Sequence, residues 1–337
     1  MSKNGKRQET MNKEALVFSY LKEKGEEVNQ KLELTRNRSA TVIAANNALF
    51  KEQLSNSLEK MLSKRYFVGK QYKPQKRVKT ERIVNVSLSD LHYGAQLDPR
   101  EVPLPYGPHE EARRTAAVAQ QVAEFKLQYR DETELYIHLK GDIIQNQLHD
   151  PRDGEPLAHQ AAAAMHYLTQ FVVFQASKFK KVTVWCTPGN HGRFTSRHKE
   201  RATNQKWDSV ENTIYYAIKV ATRHIPNVTV NIPYTPYYTY EAFGMHGFMT
   251  HGDTVLKVGF PSSSIDVKGA RKQINEINSK RGEKEKFRLF GAGHVHSASW
   301  VKLPGNIYLM TNGCLIPTDA YAQSIGITET ACCQNIW

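Results

Sequence analysis

Three short apolar runs, each closing on residues able to hold a metal ion, constrain this chain more than any other feature. Residues 83–88 run into Ser89-Asp90-Leu91-His92, residues 135–139 into Gly141-Asp142, and residues 182–186 into Pro188-Gly189-Asn190-His191. Their length and β-branched content predict strands. Between them, residues 109–129 and 158–179 carry apolar side chains at helical spacing, so the order is strand, helix, strand, helix, strand. That alternation is the pattern of an α/β core, and ligand sites in such cores collect beyond the carboxyl ends of the strands.

The second half is richer in strands, expected over residues 228–232, 237–243, 248–251, 288–290, 298–301 and 307–311, with helices over 205–223 and 265–280. Two halves, each supplying a sheet with helices outside, predict a four-layer α/β/β/α sandwich. His251-Gly252-Asp253 follows one of these strands and Gly293-His294-Val295-His296 another. Strand alternation at the latter would point both histidines the same way. Mixed oxygen and nitrogen donors suit Mn²⁺, Zn²⁺ or Fe rather than Ca²⁺ or a thiolate site. Each motif alone is commonplace; five in one order, each at the end of an expected strand, are not.

This order resembles the calcineurin-like metallophosphoesterase superfamily, whose pattern runs D-x-H, G-D, G-N-H-[D/E], a single H, then G-H-x-H. The resemblance spans roughly residues 82–312. It is nearest the exonuclease-like branch, phage-encoded members included, in the run Ser89-Asp90-Leu91-His92-Tyr93-Gly94. It implies an α/β/β/α metallophosphoesterase sandwich and two divalent ions, Mn²⁺ first, with Zn²⁺, Fe or Mg²⁺ as alternatives. One ion would take Asp90, His92, Asp142 and His296. The other would take Asp142, Asn190, His251 and His294, the Asp142 carboxylate bridging the two. The implied reaction is attack of a metal-bridging hydroxide on phosphorus, with His191 protonating the leaving oxygen. Ile143 and Ile144 are expected to pack beneath the site. Two positions depart from the family: Gly192 stands where an acid usually follows G-N-H, and Gln145 where many relatives carry an acid that orients the catalytic histidine.

Charge points toward the substrate. The formal net charge is +13, and residues 1–80 hold 18 Lys and Arg against 8 Asp and Glu, leaving the remainder nearly balanced. A basic segment on a near-neutral body suits an anionic partner, nucleic acid first and DNA before RNA. Residues 1–79 therefore read as a small basic helical segment and linker for DNA binding or dimerisation, and 80–337 as the catalytic domain. A homodimer and a partner ATPase both stay open. Arg193, in the basic stretch after His191, is the expected phosphate contact. The tyrosines at 234, 237, 238 and 240 could stack bases, but alternation on a half-buried strand makes a structural role the first expectation.

The reading is a nuclease: a two-metal phosphodiesterase acting on nucleic acid. The phosphoprotein phosphatase signatures G-D-x-V-D-R-G and G-N-H-E are absent. The alternative is a small-molecule phosphomonoesterase or cyclic-nucleotide phosphodiesterase; a non-catalytic scaffold would have lost ligands, and none is lost. The start, Met1 to Thr10, is polar, no apolar run reaches the roughly 18 residues of a membrane span, and the four cysteines form no framework. A cytoplasmic protein without membrane contact is expected.

Overall fold

The first sheet is parallel, with its strands in chain order: β1 (Arg82–Leu88), β2 (Thr133–Leu139), β3 (Lys181–Cys186) and β4 (Val228–Asn231). One face is apolar at alternate positions, through Val84, Val86, Leu88, Leu135, Ile137, Leu139, Val182 and Val184, while Tyr136 and Trp185 lie on the other. The crossovers carry helices α1 (Pro108–Leu127), α2 (Leu157–Ala176), the single-turn α3 (Arg201–Asn204) and α4 (Val210–Thr222). Helix α2 packs against both α1 and α4, α2 lies on β3, and α4 lies on β4. The computed structural model describes residues 82–97, 100, 102, 104, 106–127, 133–148, 154–195, 201–259, 265–318 and 332–337. The basic segment expected at 1–79 lies outside the described residues.

The second sheet is mixed, ordered β5-β6-β7-β9-β8, from β5 (Tyr237–Ala242), β6 (Met245–Thr250), β7 (Phe287–Ala292), β8 (Ser299–Leu303) and β9 (Ile307–Thr311). Helix α5 (Val267–Ser279) precedes β7, its first turn capped by Asp266, which accepts the Gly269 N–H.

Alternation along these strands builds the layers. Met249, Leu289 and Met310 join Tyr238 and Tyr240 in packing against Tyr136 and Trp185 of the first sheet. Their neighbours Phe248, Phe290 and Leu309 turn the other way, onto Ala270 and Ile274 of α5. The architecture is the expected α/β/β/α sandwich. Of the four tyrosines, Tyr238 and Tyr240 are interlayer core, while Tyr234 and Tyr237 are exposed.

Two details differ from the sequence reading. The helix expected over 205–223 is broken: Ser209 leaves helical geometry and accepts the Glu211 N–H, so α4 starts at Val210. The end of the chain, which sequence left without an account, forms an isolated antiparallel bridge to the first sheet, Val86 with Ile336. Residues 335–337 pair antiparallel with β1 through Asn85 N–H to Trp337 O (2.8 Å), Trp337 N–H to Asn85 O (3.0 Å) and Ser87 N–H to Asn335 O (2.9 Å). The Trp337 ring stacks on His138, which is itself held between Asn85 Oδ1 and the Tyr238 hydroxyl. The four cysteines are unpaired, and no helix among the described residues is long and apolar enough to cross a membrane.

Candidate metal centre

The motif-bearing loops meet where the two sheets release their strands. The Asp90 N–H donates to Gly141 O (3.0 Å), and the N–H groups of Leu91 and His92 both donate to Asp142 O (2.8 and 3.1 Å). The loop after β1 is thereby zipped to the loop after β2. Gly293 N–H donates to His251 O (2.7 Å), joining the two histidine loops of the second sheet. His294 N–H then crosses between sheets to the Asp90 carboxylate (3.0 Å).

Five of the seven expected ligands have left-handed backbones: Asp90 (φ 55), His92 (49), Asp142 (49), His294 (69) and His296 (55). Such conformations cost a non-glycine residue on the order of 1–3 kcal/mol each and persist only where surroundings impose them. They turn side chains off the strand direction into one space. His294 and His296 both lie past the end of β7, and the backbone reversal sends His294 toward His251 (ring centroids 5.1 Å) and His296 toward His92 (5.0 Å).

Two groups result. Donor atoms of Asp90, His92 and His296 lie within 4.8 Å of one another, as do those of Asp142, His251 and His294. His296 Nε2 sits 3.4 Å from Asp90 Oδ1 and 3.2 Å from His92 Nε2. His251 Nε2 sits 3.1 Å from Asp142 Oδ2 and 3.0 Å from Asn190 Oδ1. Asp142 also clusters with His92 and His191, which puts its carboxylate between the two groups.

The tautomers decide what these atoms can hold. His92 Nδ1 faces the amide oxygen of Gln145 (2.7 Å), and His251 Nδ1 faces the carbonyl of Lys140 (2.8 Å). Carbonyl oxygens only accept, so each Nδ1 carries a proton and each Nε2 is the nitrogen turned toward the centre. Imidazole nitrogens, the Asn190 oxygen and two carboxylates thus converge at 3.0–3.4 Å. Acceptors packed this closely repel unless positive charge lies between them. The donor set fits two divalent ions.

The ionisation pattern shows which group supplies that positive charge when no ion does. Burial raises the Asp142 carboxyl, but His251, through its charge and hydrogen bond, together with the charges of His191 and His92, holds it well below the usual range. Burial would depress His251, but Asp142 lifts it to about 9. His294 is driven down to about 4 by burial and by His251. In the absence of an ion, one imidazolium is what balances the shared carboxylate.

His191 accompanies this group. Its N–H donates to Asp142 Oδ1 (2.8 Å), its Nδ1 faces Gln145 O (2.6 Å), and its ring meets His92 edge-on at 4.6 Å. Gln145 therefore orients two histidines, one through the side chain and one through the main chain. Ile143 and Ile144 are fully buried beneath the site. Arg193 is 5% exposed, its guanidinium donating to the carbonyls of Asn190 (2.8 Å) and Thr195 (3.1 Å).

Several residues that hold the site carry no motif. Lys206 is fully buried, donating to Gly189 O (3.0 Å) and pairing with Asp253 (2.7 Å), which ties the Asn190 loop to the His251 loop. Lys140, pushed down to about 7 by burial, donates to Ala292 O (2.9 Å). Gln334 grips Ser89 at both backbone atoms: its Oε1 accepts the Ser89 N–H (3.0 Å) and its Nε2 donates to Ser89 O (3.1 Å). The amide-rich C-terminus was visible in the sequence, but nothing in its spacing pointed to the Asp90 loop.

No family model matches the chain, and no curated protein matches it. Solved structures similar to it include a hypothetical protein from Pyrococcus horikoshii OT3 (TM-score 0.35, 10% identity, 76% of this chain and 87% of that one). A dimetal phosphatase from Danio rerio overlaps at TM-score 0.34 and 11% identity, over 71% of this chain and 90% of the other. A hypothetical protein from Thermus thermophilus overlaps at TM-score 0.26 and 10% identity, over 76% and 98%. These overlaps are too shallow to speak for chemistry, and the case for a metal centre rests on the convergence of its donor atoms.

Proposed function

We propose that this chain is a two-metal phosphoesterase and that its substrate is nucleic acid, DNA before RNA. The observation that carries the metal part is the convergence of imidazole, amide and carboxylate donor atoms around Asp142. Asp90, His92, Asp142 and His296 would hold one ion, and Asp142, Asn190, His251 and His294 the other. When bound, two such ions supply Lewis acidity at phosphoryl oxygens and lower the pKa of water. His191 keeps its Nδ1 on the Gln145 carbonyl, so Nε2 is the atom left to pass a proton to the leaving oxygen. Arg193, braced on loop carbonyls, adds positive charge beside the phosphate.

Two features favour nucleic acid. The basic segment 1–80 supplies the charge such a partner needs. Trp207 is 51% exposed, carries the Arg201 guanidinium at 5.2 Å from its ring, and directly follows Lys206, which reaches the Gly189 carbonyl. Its carbonyl accepts from Asn212, and its exposed ring is a surface of the kind that stacks a base. The near-neutral remainder of the chain favours the second reading, a small-molecule phosphomonoesterase or cyclic-nucleotide phosphodiesterase.

The test is hydrolysis, with Mn²⁺ and with EDTA, of a labelled DNA duplex, its single strand, and bis- and mono-p-nitrophenyl phosphate, with Asp142→Asn as control. Metal-dependent DNA cleavage that the variant lacks is expected. Turnover of the small esters with intact DNA would overturn the nuclease reading in favour of the second, and no metal-dependent turnover at all would overturn both.

A further inference from the structure

Glu211 carries no motif, lies 69 residues beyond Asp142 in the sequence, and is fully buried. Its carboxylate accepts the Ile143 N–H at 2.6 Å through Oε1 and the Gly189 N–H at 2.7 Å through Oε2. Ile143 follows Asp142 directly, and Gly189 directly precedes Asn190. One side chain therefore spans the two loops that present the shared carboxylate and the amide ligand. Among the described residues, no cation pairs with it. A buried carboxylate without a counter-ion is costly, and two strong backbone donors are its compensation.

The neighbouring glycine shows that the chain makes room for this arrangement. A Cβ on Gly192 would lie 2.1 Å from Ser209 Oγ and 3.0 Å from Glu211 Cγ. The Val210 N–H donates to Gly192 O at 2.9 Å, fastening the start of α4 to the residue after His191. The position where a family acid is expected is thus filled by the helix end, and a carboxylate arrives from α4 instead. We propose that Glu211 is a positioning residue of the metal centre, its carboxylate setting the distance between the Asp142 and Asn190 loops. The inference rests on the two-metal reading above.

Glu211→Gln keeps the volume and one acceptor but aims an amide N–H₂ at a backbone N–H; Glu211→Ala removes both acceptors. Three readings separate positioning from mere structure: exchange of the Ile143 and Gly189 amides in EDTA, Mn²⁺ affinity by calorimetry, and the unfolding temperature in EDTA. We expect both amides to exchange at least about tenfold faster. Mn²⁺ affinity should fall about 10–100-fold, the range typical of groups that orient ligands, while Glu211→Gln unfolds near the parent temperature.

Unchanged Mn²⁺ affinity in folded Glu211→Gln would overturn the proposal, whatever its unfolding temperature. Unchanged exchange at the two amides would overturn it too. If Glu211→Ala does not fold, Glu211→Gln decides alone. A parent protein that binds no Mn²⁺ would sink the two-metal reading and the positioning role with it. Faster exchange in the variants would then still show that Glu211 joins the loops.

Discussion

The amide oxygen of Gln145 lies 2.7 Å from Nδ1 of His92 and fixes which nitrogen of that imidazole faces the centre. An acid at this position would make the ring more basic; the amide holds the tautomer without adding charge. Gln145→Leu should lower Mn²⁺ affinity about tenfold or more. It should spare the metal-saturated kcat, because His191 uses the main-chain carbonyl of the same residue. Calorimetric titration alongside turnover at saturating Mn²⁺ checks this. A fall in kcat with affinity intact would contradict it.

Gly189 sits against the shared ligand. A Cβ there would stand 2.1 Å from Asp142 Oδ1 and 2.4 Å from its backbone nitrogen, neither of which can yield without moving the loop. Metal at 100 times its Kd should stabilise the parent by about 2.7 kcal/mol. Gly189→Ala is expected to lose that gain. Melting curves with Mn²⁺ and with EDTA give the answer, and a parent-sized shift in the variant would show that the loop can relax.

Glu111 offers a pH test away from the ligands. It is 1% exposed, and its Oε1 accepts the Gly94 N–H at 2.6 Å. Burial lifts its carboxyl from an ordinary 4.5 to about 7, the Gly94 bond opposing and Glu155 adding to the rise. A raised acid favours the fold in its protonated form. Its contribution is complete below about 4.5 and is lost as pH climbs to about 7. Glu111→Gln mimics the protonated state, so it should match the parent at pH 4 and exceed it at pH 8 by up to about 3 kcal/mol. Urea unfolding in EDTA at the two pH values measures the gap. A gap of equal size at both would rule out ionisation as its cause.

Gln334 ties the C-terminal segment to the Asp90 loop. Besides gripping Ser89, its Oε1 accepts from Asn312 Nδ2 at 2.7 Å, while Asn312 also donates to Ser89 Oγ. Gln334→Ala strands buried polar groups, at a cost of about 1–3 kcal/mol. It should weaken Mn²⁺ binding as well, since Asp90 follows Ser89 directly. Stability loss with full metal affinity would confine Gln334 to holding that segment.

Much of this was legible in the sequence because strands that stop on ligands announce themselves twice, by apolar content and by the residue that ends them. Val84 to Leu88 and Leu135 to Leu139 show this, and the two-sheet layering followed from counting such runs. What stayed hidden depends on the third dimension. Left-handed backbones at His294 and His296 have no sequence marker when the residue is not glycine. Gln334 meets Ser89 across 245 residues, Lys206 meets Asp253 across 47, and no periodicity connects such pairs. The break before α4 was the nearest miss. Ser209 is a fair cap, but the apolar spacing on either side of it masked the boundary.

The pairing of residues 335–337 with β1 has one more effect. A bare β1 would present a row of unpaired N–H and C=O groups, an invitation to pairing between molecules and to aggregation. With Asn85 and Ser87 already bonded to Trp337 and Asn335, that side of the first sheet is closed to another chain. Among the described strands, β4, β5 and β8 are the edges left for a second molecule to extend. Addition of a strand from another molecule would, among the described strands, extend those edges.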